Sequence, residues 1–129
     1  MPVKFNVTPH KDPRDQSSRP KYYVTVKSSG RTDTNTIAKR INSMSTVSTV
    51  DTAAVLEAFL HVVPEQLAEG NIVELGDFGR FRVSVSSDGE EKAEDVTARN
   101  ITDVRVIFTP GKRFVQLLDT VRFQKELTD

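Results

Sequence analysis

The chain has 129 residues, 36% of them hydrophobic and 28% charged, with 18 basic side chains balanced by 18 acidic ones and no cysteine. That is material for one domain with a modest core. Disulfides and thiolate metal sites are excluded, which fits a reducing compartment. No apolar run approaches the roughly 20 residues that cross a bilayer, and the opening MPVKFNVTPHKDPRDQ lacks the apolar core of a signal peptide, so a cytoplasmic protein is expected.

Charge is segregated although it sums to zero. Residues 1–31 hold seven basic side chains against two acidic, and residues 32–75 hold two against six. Such a chain either presents a positive face or carries a merely solvated basic terminus. Charge alone favours the second.

Val3, Phe5 and Val7 alternate with polar residues, the period of a half-buried strand. Three prolines mark residues 9–20 as a loop, and KYYVTVK, 21–27, reads as a second strand. The two strands either form a hairpin or flank another sheet. Thr34 then suits an N-cap, and Ile37, Ile41 and Met44 form one helical stripe. Ser48 opens a second helix with Asp51 three residues on, a variant capping box that also puts negative charge at the positive end of the dipole. Val55, Phe59, Val62, Val63 and Leu67 give that helix a broad apolar face, and Gly70-Asn71 ends it. The face is wide enough for a partner surface as well as for an ordinary core. Pro64 interrupts it and predicts a kink or break near 60–64.

A short strand, Ile72–Leu75, leads into Gly76-Asp77-Phe78-Gly79, a tight reversal. Asp-Phe-Gly is also a protein-kinase triplet, but a kinase needs a glycine-rich loop, a strand lysine and a His-Arg-Asp loop, and the chain has none of these. Asp77 is therefore a turn residue. Phe81, Val83 and Val85 alternate, residues 86–103 are polar, and Val104, Val106 and Phe108 resume the alternation. The stretch between is an exposed β-arm or a disordered loop. Pro110-Gly111-Lys112 starts a last helix with Phe114, Leu117, Leu118 and Val121, and VRFQKE after it has an extended character.

The order of these elements, with GNIVELGDFGRFRV at 70–83 and IFTPGKRFVQLL at 107–118, resembles the HU/integration-host-factor family of bacterial nucleoid proteins. The resemblance covers about residues 32–122. The N-terminal strands, LGDFGRF and SSDGEE bring the chain nearest to the HU-related, histone-like branch of Bacteroidetes.

The resemblance implies an α+β fold: two helices, a three-stranded antiparallel sheet with a β-arm at about 84–105, and a C-terminal helix. Residues 32–129 would be the HU-like domain and 1–31 an N-terminal β extension, with two copies in an intertwined homodimer. Phe78 and Phe81 would lie under the sheet. The partner implied is double-stranded DNA, held through phosphate contacts that weaken with salt, with arms in the minor groove whose tip proline wedges between bases.

The arm departs from that pattern. Residues 86–103 have no proline and carry six acidic side chains against Lys92 and Arg99. Ile101 stands where the wedge proline would be; a solvated hairpin or loop is favoured over an intercalating Ile101. The DNA-binding candidates are Arg80, Arg82, Arg99, Arg105, Lys112 and Arg113. The helix start after Pro110-Gly111 offers backbone N–H groups to a phosphate, and Lys21, Lys27 and Arg31, beside Tyr22 and Tyr23, extend the patch. The expected function is non-enzymatic organisation of nucleoid DNA. The alternative is a protein–protein module on the same fold, with an acidic arm for a basic partner. His10 and His61 sit in unrelated contexts without a nucleophile, metal spacing or phosphate loop. No cofactor, membrane or small-molecule substrate is expected.

Overall fold

The computed structural model describes residues 1–15 and 17–127. They form two compact units: Met1–Asp33 together with the chain from Leu117 onward, and Thr34–Gln116.

In the first unit β1 (Val3–His10) and β2 (Lys21–Val26) make an antiparallel hairpin, in register from Phe5 opposite Val26 to His10 opposite Lys21. The open choice for these strands thus resolves to a hairpin, with β1 running three residues beyond Val7 and taking in the first two residues, Pro9 and His10, of the expected loop. A third strand, Phe123–Lys125, lies parallel to β1 with Val3 opposite Phe123. The Val3 amide donates to the Arg122 carbonyl at 2.7 Å, and the Glu126 amide to that of Phe5 at 2.8 Å. The fold is α+β as expected, but its sheet layout differs. There are two three-stranded sheets, because the extended C-terminal segment meets the free edge of β1. Lys27 Nζ lies 3.0 Å from Glu126 Oε1, and this hydrogen bond holds the Glu126 carboxyl below its ordinary range.

The second unit opens with α1 (Thr34–Met44) and α2 (Thr49–Ala68). Thr34 is the first helical residue of α1 rather than the residue ahead of it. At α2 the capping reading holds: the Asp51 amide donates to Ser48 Oγ at 3.1 Å. The helix also ends where Gly70-Asn71 foretold. Gly70 takes φ 88°, its amide donates to Leu67 O and the Asn71 amide to Gln66 O, which satisfies two otherwise free carbonyls. Pro64 does not break the helix, which is continuous from Thr49 to Ala68. Proline removes a single backbone donor, and the turns on either side stay hydrogen bonded.

The sheet of this unit has β4 (Gly79–Ser87) between β3 (Val73–Glu74) and β5 (Ile101–Pro110), all antiparallel. Gly76–Phe78 forms a 3₁₀ turn between β3 and β4, and Gly111 precedes α3, Lys112–Leu118. The turn and the end of β5 interlock. The Gly111 amide donates to Phe78 O at 3.0 Å. A side chain at Gly111 would fall on the Asp77 carbonyl, and one at Gly79, where φ is 139°, would fall on Thr109 O and the Phe108 ring. Asp77-Phe78-Gly79 is a backbone joint. Over it Phe78 meets Phe114 at 4.8 Å between ring centroids, and Phe81 meets Phe108 at 4.7 Å. Phe78 and Phe81 thus belong to the aromatic cluster, although Phe78 stays 43% exposed.

Little else is buried. Among the described residues only Ala38 and Leu67 are buried hydrophobic side chains. The expected apolar face of α2 is largely open, with Val55, Phe59 and Val62 all exposed. The accessible surface is 11378 Å², against about 6,800 Å² for a folded monomer of this mass and roughly 8,200 Å² for two separate globules.

Replacing Gly111 by alanine should destabilise the fold by about 2 kcal/mol or more, since the new methyl group displaces backbone. Chemical denaturation measures it; a change within about 0.5 kcal/mol, the usual size for a neutral surface site, would contradict the interlocked joint.

Candidate nucleic-acid interface

Strand register decides where the candidate cations go. Residues directly opposite in an antiparallel pair share a face, and alternate residues share it along each strand. Arg80 opposes Thr109, Arg82 opposes Ile107 and Arg105 opposes Ser84. Arg80, Arg82 and Arg105 therefore stand on one face of the sheet. The other face carries Phe81, Val83, Val85, Val104, Val106 and Phe108.

The three arginines are not equivalent. Arg105 Nη1 donates to Ser86 Oγ at 2.9 Å and lies 3.2 Å from Asp103 Oδ2. Among the described residues Arg80, Arg82, Arg99, Lys112 and Arg113 make no ion pair. Glu74 opposes Arg80 and brings one carboxylate onto the same face. At the root of the hairpin a cleft of about 180 Å³ is lined by Glu74, Gly76, Gly79, Arg80, Thr109, Pro110 and Gly111. Lys112 and Arg113 follow on α3. At the start of α3, which has seven residues, the Gly111 amide is taken by Phe78 O.

Arg99 is not with the others. The β4–β5 ladder ends at Ser87 opposite Ile101, and residues 88–100 fold back as a loop with 3₁₀ turns at Ala93–Asp95 and Ala98–Asn100. The expected arm over 84–105 is thus a shorter ladder with a structured tip. Asn100, only 9% exposed, organises it. Its Oδ1 accepts from the Thr97 amide at 2.9 Å, while Nδ2 donates to Asp88 O at 3.3 Å and Glu90 Oε1 at 3.0 Å. The loop holds five carboxylates against Lys92 and Arg99, so Arg99 sits in negative surroundings. Ile101, weighed as a wedge, is 43% exposed and is the last residue of the ladder, where the tip loop returns to β5.

Sequence reasoning missed Asn100 as a clamp, although Thr97-Ala98-Arg99-Asn100 has the spacing of a capping box, which the structure forms. It also missed that Lys27 is tied up by Glu126, a pairing between distant segments with no local signal.

The chain thus combines a sheet with an arginine face, two helices and a Pro-Gly-Lys joint. The model of the family described as HU-HIG, an HU domain fused to wHTH, Ig or a glycine-rich motif, matches residues 1–125, and the chain belongs to that family. Its fold is similar to that of a crystal structure of a candidate bacterial DNA-binding protein from Bacteroides vulgatus ATCC 8482. The TM-score is 0.64 at 19% identity, over 98% of this chain and 50% of that one, so the chain spans about half the length of that relative. No curated protein matches it.

Asn100→Ala should raise amide hydrogen exchange across residues 88–100 at least tenfold, or about 1.4 kcal/mol of reduced local stability, while β4 and β5 stay protected. Unchanged exchange at Thr97 would show that Asn100 does not hold the tip.

Proposed function

We propose that this chain is a non-enzymatic, HU-like protein that binds double-stranded DNA as a homodimer, chiefly through the phosphate backbone, and so organises nucleoid DNA. The observation that carries the reading is the placement of Arg80, Arg82 and Arg105 on one sheet face, with Arg80 and Arg82 free of ion pairs among the described residues. Guanidinium groups in such a row match successive phosphates, and the binding free energy comes largely from released counterions. Lys112 and Arg113, which follow β5 at the start of α3, are the further cations this reading assigns to the backbone. Arg99 contributes little, since it projects from an acidic loop. Membership of an HU family supports DNA as the partner.

The tip lowers the expectation of sharp bending. It carries no proline, five carboxylates and a folded loop, so it is repelled by the phosphates that an inserting arm must approach. Backbone contact at the root of the hairpin is the mode that remains.

Dimerisation rests on the apolar surface left open. Val55, Phe59 and Val62 of α2 lie within a helix whose single-chain partners cover only part of it. The accessible surface exceeds that of two separate globules by roughly 3,000 Å² per chain, or about 6,000 Å² for two copies, at the upper end of obligate homodimer interfaces.

In sedimentation equilibrium the protein should behave as a particle of twice 14.4 kDa, and Phe59→Asp should abolish that species. A stable, folded monomer in the unaltered protein would contradict the dimer. Fluorescence anisotropy with duplex DNA across a salt series tests the binding. In Arg80→Ala/Arg82→Ala the slope of log K against log salt should become shallower by about 1 for each phosphate that is no longer neutralised. No binding by the unaltered protein at low salt would instead favour a protein–protein module on the same fold.

A further inference from the structure

Beside the β1–β2 hairpin a cleft of about 590 Å³ is lined by His10, Lys11, Asp12, Pro13, Ser18, Arg19, Lys21 and Tyr23. This lies within the ligand-sized range for pockets, and it is in the first compact unit, whereas the arginine face is in the second.

Three cations reach this cleft, Lys11, Arg19 and Lys21, and none of them makes an ion pair among the described residues. The nearby acids accept hydrogen bonds within the loop. Asp12 Oδ1 accepts from the Arg14 amide at 2.8 Å, and Asp15 Oδ1 from the Ser17 amide and hydroxyl at 3.1 and 2.6 Å. The acids thus shape the loop, leaving an excess of positive charge over the single lining carboxylate, Asp12.

The wall of the cleft is aromatic. Hairpin register puts His10 and Tyr23 on the same face of the sheet, and their rings meet edge-on at 5.9 Å between centroids, 75° apart. Tyr23 is nevertheless 51% exposed. Cations alone would suit any anion. An open aromatic ring beside them adds a surface for stacking a planar base, as in proteins that hold unpaired nucleic acid. A duplex does not use that surface, because its bases are already stacked on one another.

We propose that this cleft is a separate contact for single-stranded nucleic acid, with a backbone phosphate between Lys11, Arg19 and Lys21 and an unpaired base against Tyr23. It goes beyond the duplex-binding reading and does not depend on it. The two contacts use different cations in different parts of the chain.

The test uses the full chain and a fluorescent 12-mer of thymidylate, with inorganic phosphate and an unlabelled duplex as competitors. The triple variant Lys11→Ala/Arg19→Ala/Lys21→Ala should weaken binding of the single strand about tenfold or more. Tyr23→Ala should weaken it at least fivefold. Circular dichroism checks that both variants keep the hairpin, and Tyr23→Phe, which retains the ring, should restore binding to within about twofold. In the Arg80→Ala/Arg82→Ala background, Tyr23→Ala should still weaken binding of the single strand at least fivefold, even if duplex binding is abolished. The proposal is overturned if the folded triple variant keeps its affinity for the 12-mer. It is also overturned if Tyr23→Ala is without effect, or if inorganic phosphate competes as well as the strand does, which would leave a simple anion site. Failure of duplex binding alone, with the 12-mer still held, would count against the duplex reading and not against this one.

Discussion

The backbone contact between the Gly76–Phe78 turn and Gly111 is the constraint on which the second unit depends. Two segments well separated in the chain approach so closely that neither Gly79 nor Gly111 has room for a side chain. That contact fixes the start of β4 against the end of β5, with Gly79 opposite Pro110. Because side chains alternate, a slip by one residue would turn every arginine to the apolar face and every valine to the polar one. The register is therefore what makes a cationic face, and the glycines are what hold the register. The phenylalanines Phe78, Phe81, Phe108 and Phe114 pack around the joint and add the burial that a pair of glycines cannot supply.

The scarcity of buried side chains follows from the same architecture. A two-helix layer and a twisted three-stranded sheet each have one apolar side, and within one chain these sides cover each other only in part. The open valines and phenylalanine of α2, together with Val83, Val85, Val104 and Val106 on the sheet, are what a second subunit would cover. A dimer would join this burial to function, since two copies double the number of arginines available to one duplex.

The parts legible in the sequence were those set by local chemistry. Ser48 with Asp51, Gly70-Asn71 and the alternations of β4 and β5 each depend on a few neighbouring residues, and each element lies where those residues put it. The parts that were not legible depend on partners far along the chain. Nothing in VRFQKE says that it will lie parallel to β1, and nothing in Lys27 says that Glu126 will meet it. Pro64 did not break its helix, because proline removes a single backbone donor. The tip is exposed, as its acidic composition without proline suggested, but its internal order was not legible: Asn100 bonds to Thr97, Asp88 and Glu90 across the loop. Of the candidate cations, alternation alone put Arg80 and Arg82 on one face. Joining Arg105 to them needed the pairing register, as did separating Arg99.

The most direct measurement is heteronuclear NMR of the arginine side chains while duplex DNA is added. Phosphate contact at the root of the hairpin should shift the Nε–H signals of Arg80, Arg82 and Arg105 together and leave those of Arg99 and the amides of residues 88–100 unmoved. Shifts confined to the tip loop, with the three sheet arginines silent, would contradict a duplex held on this face.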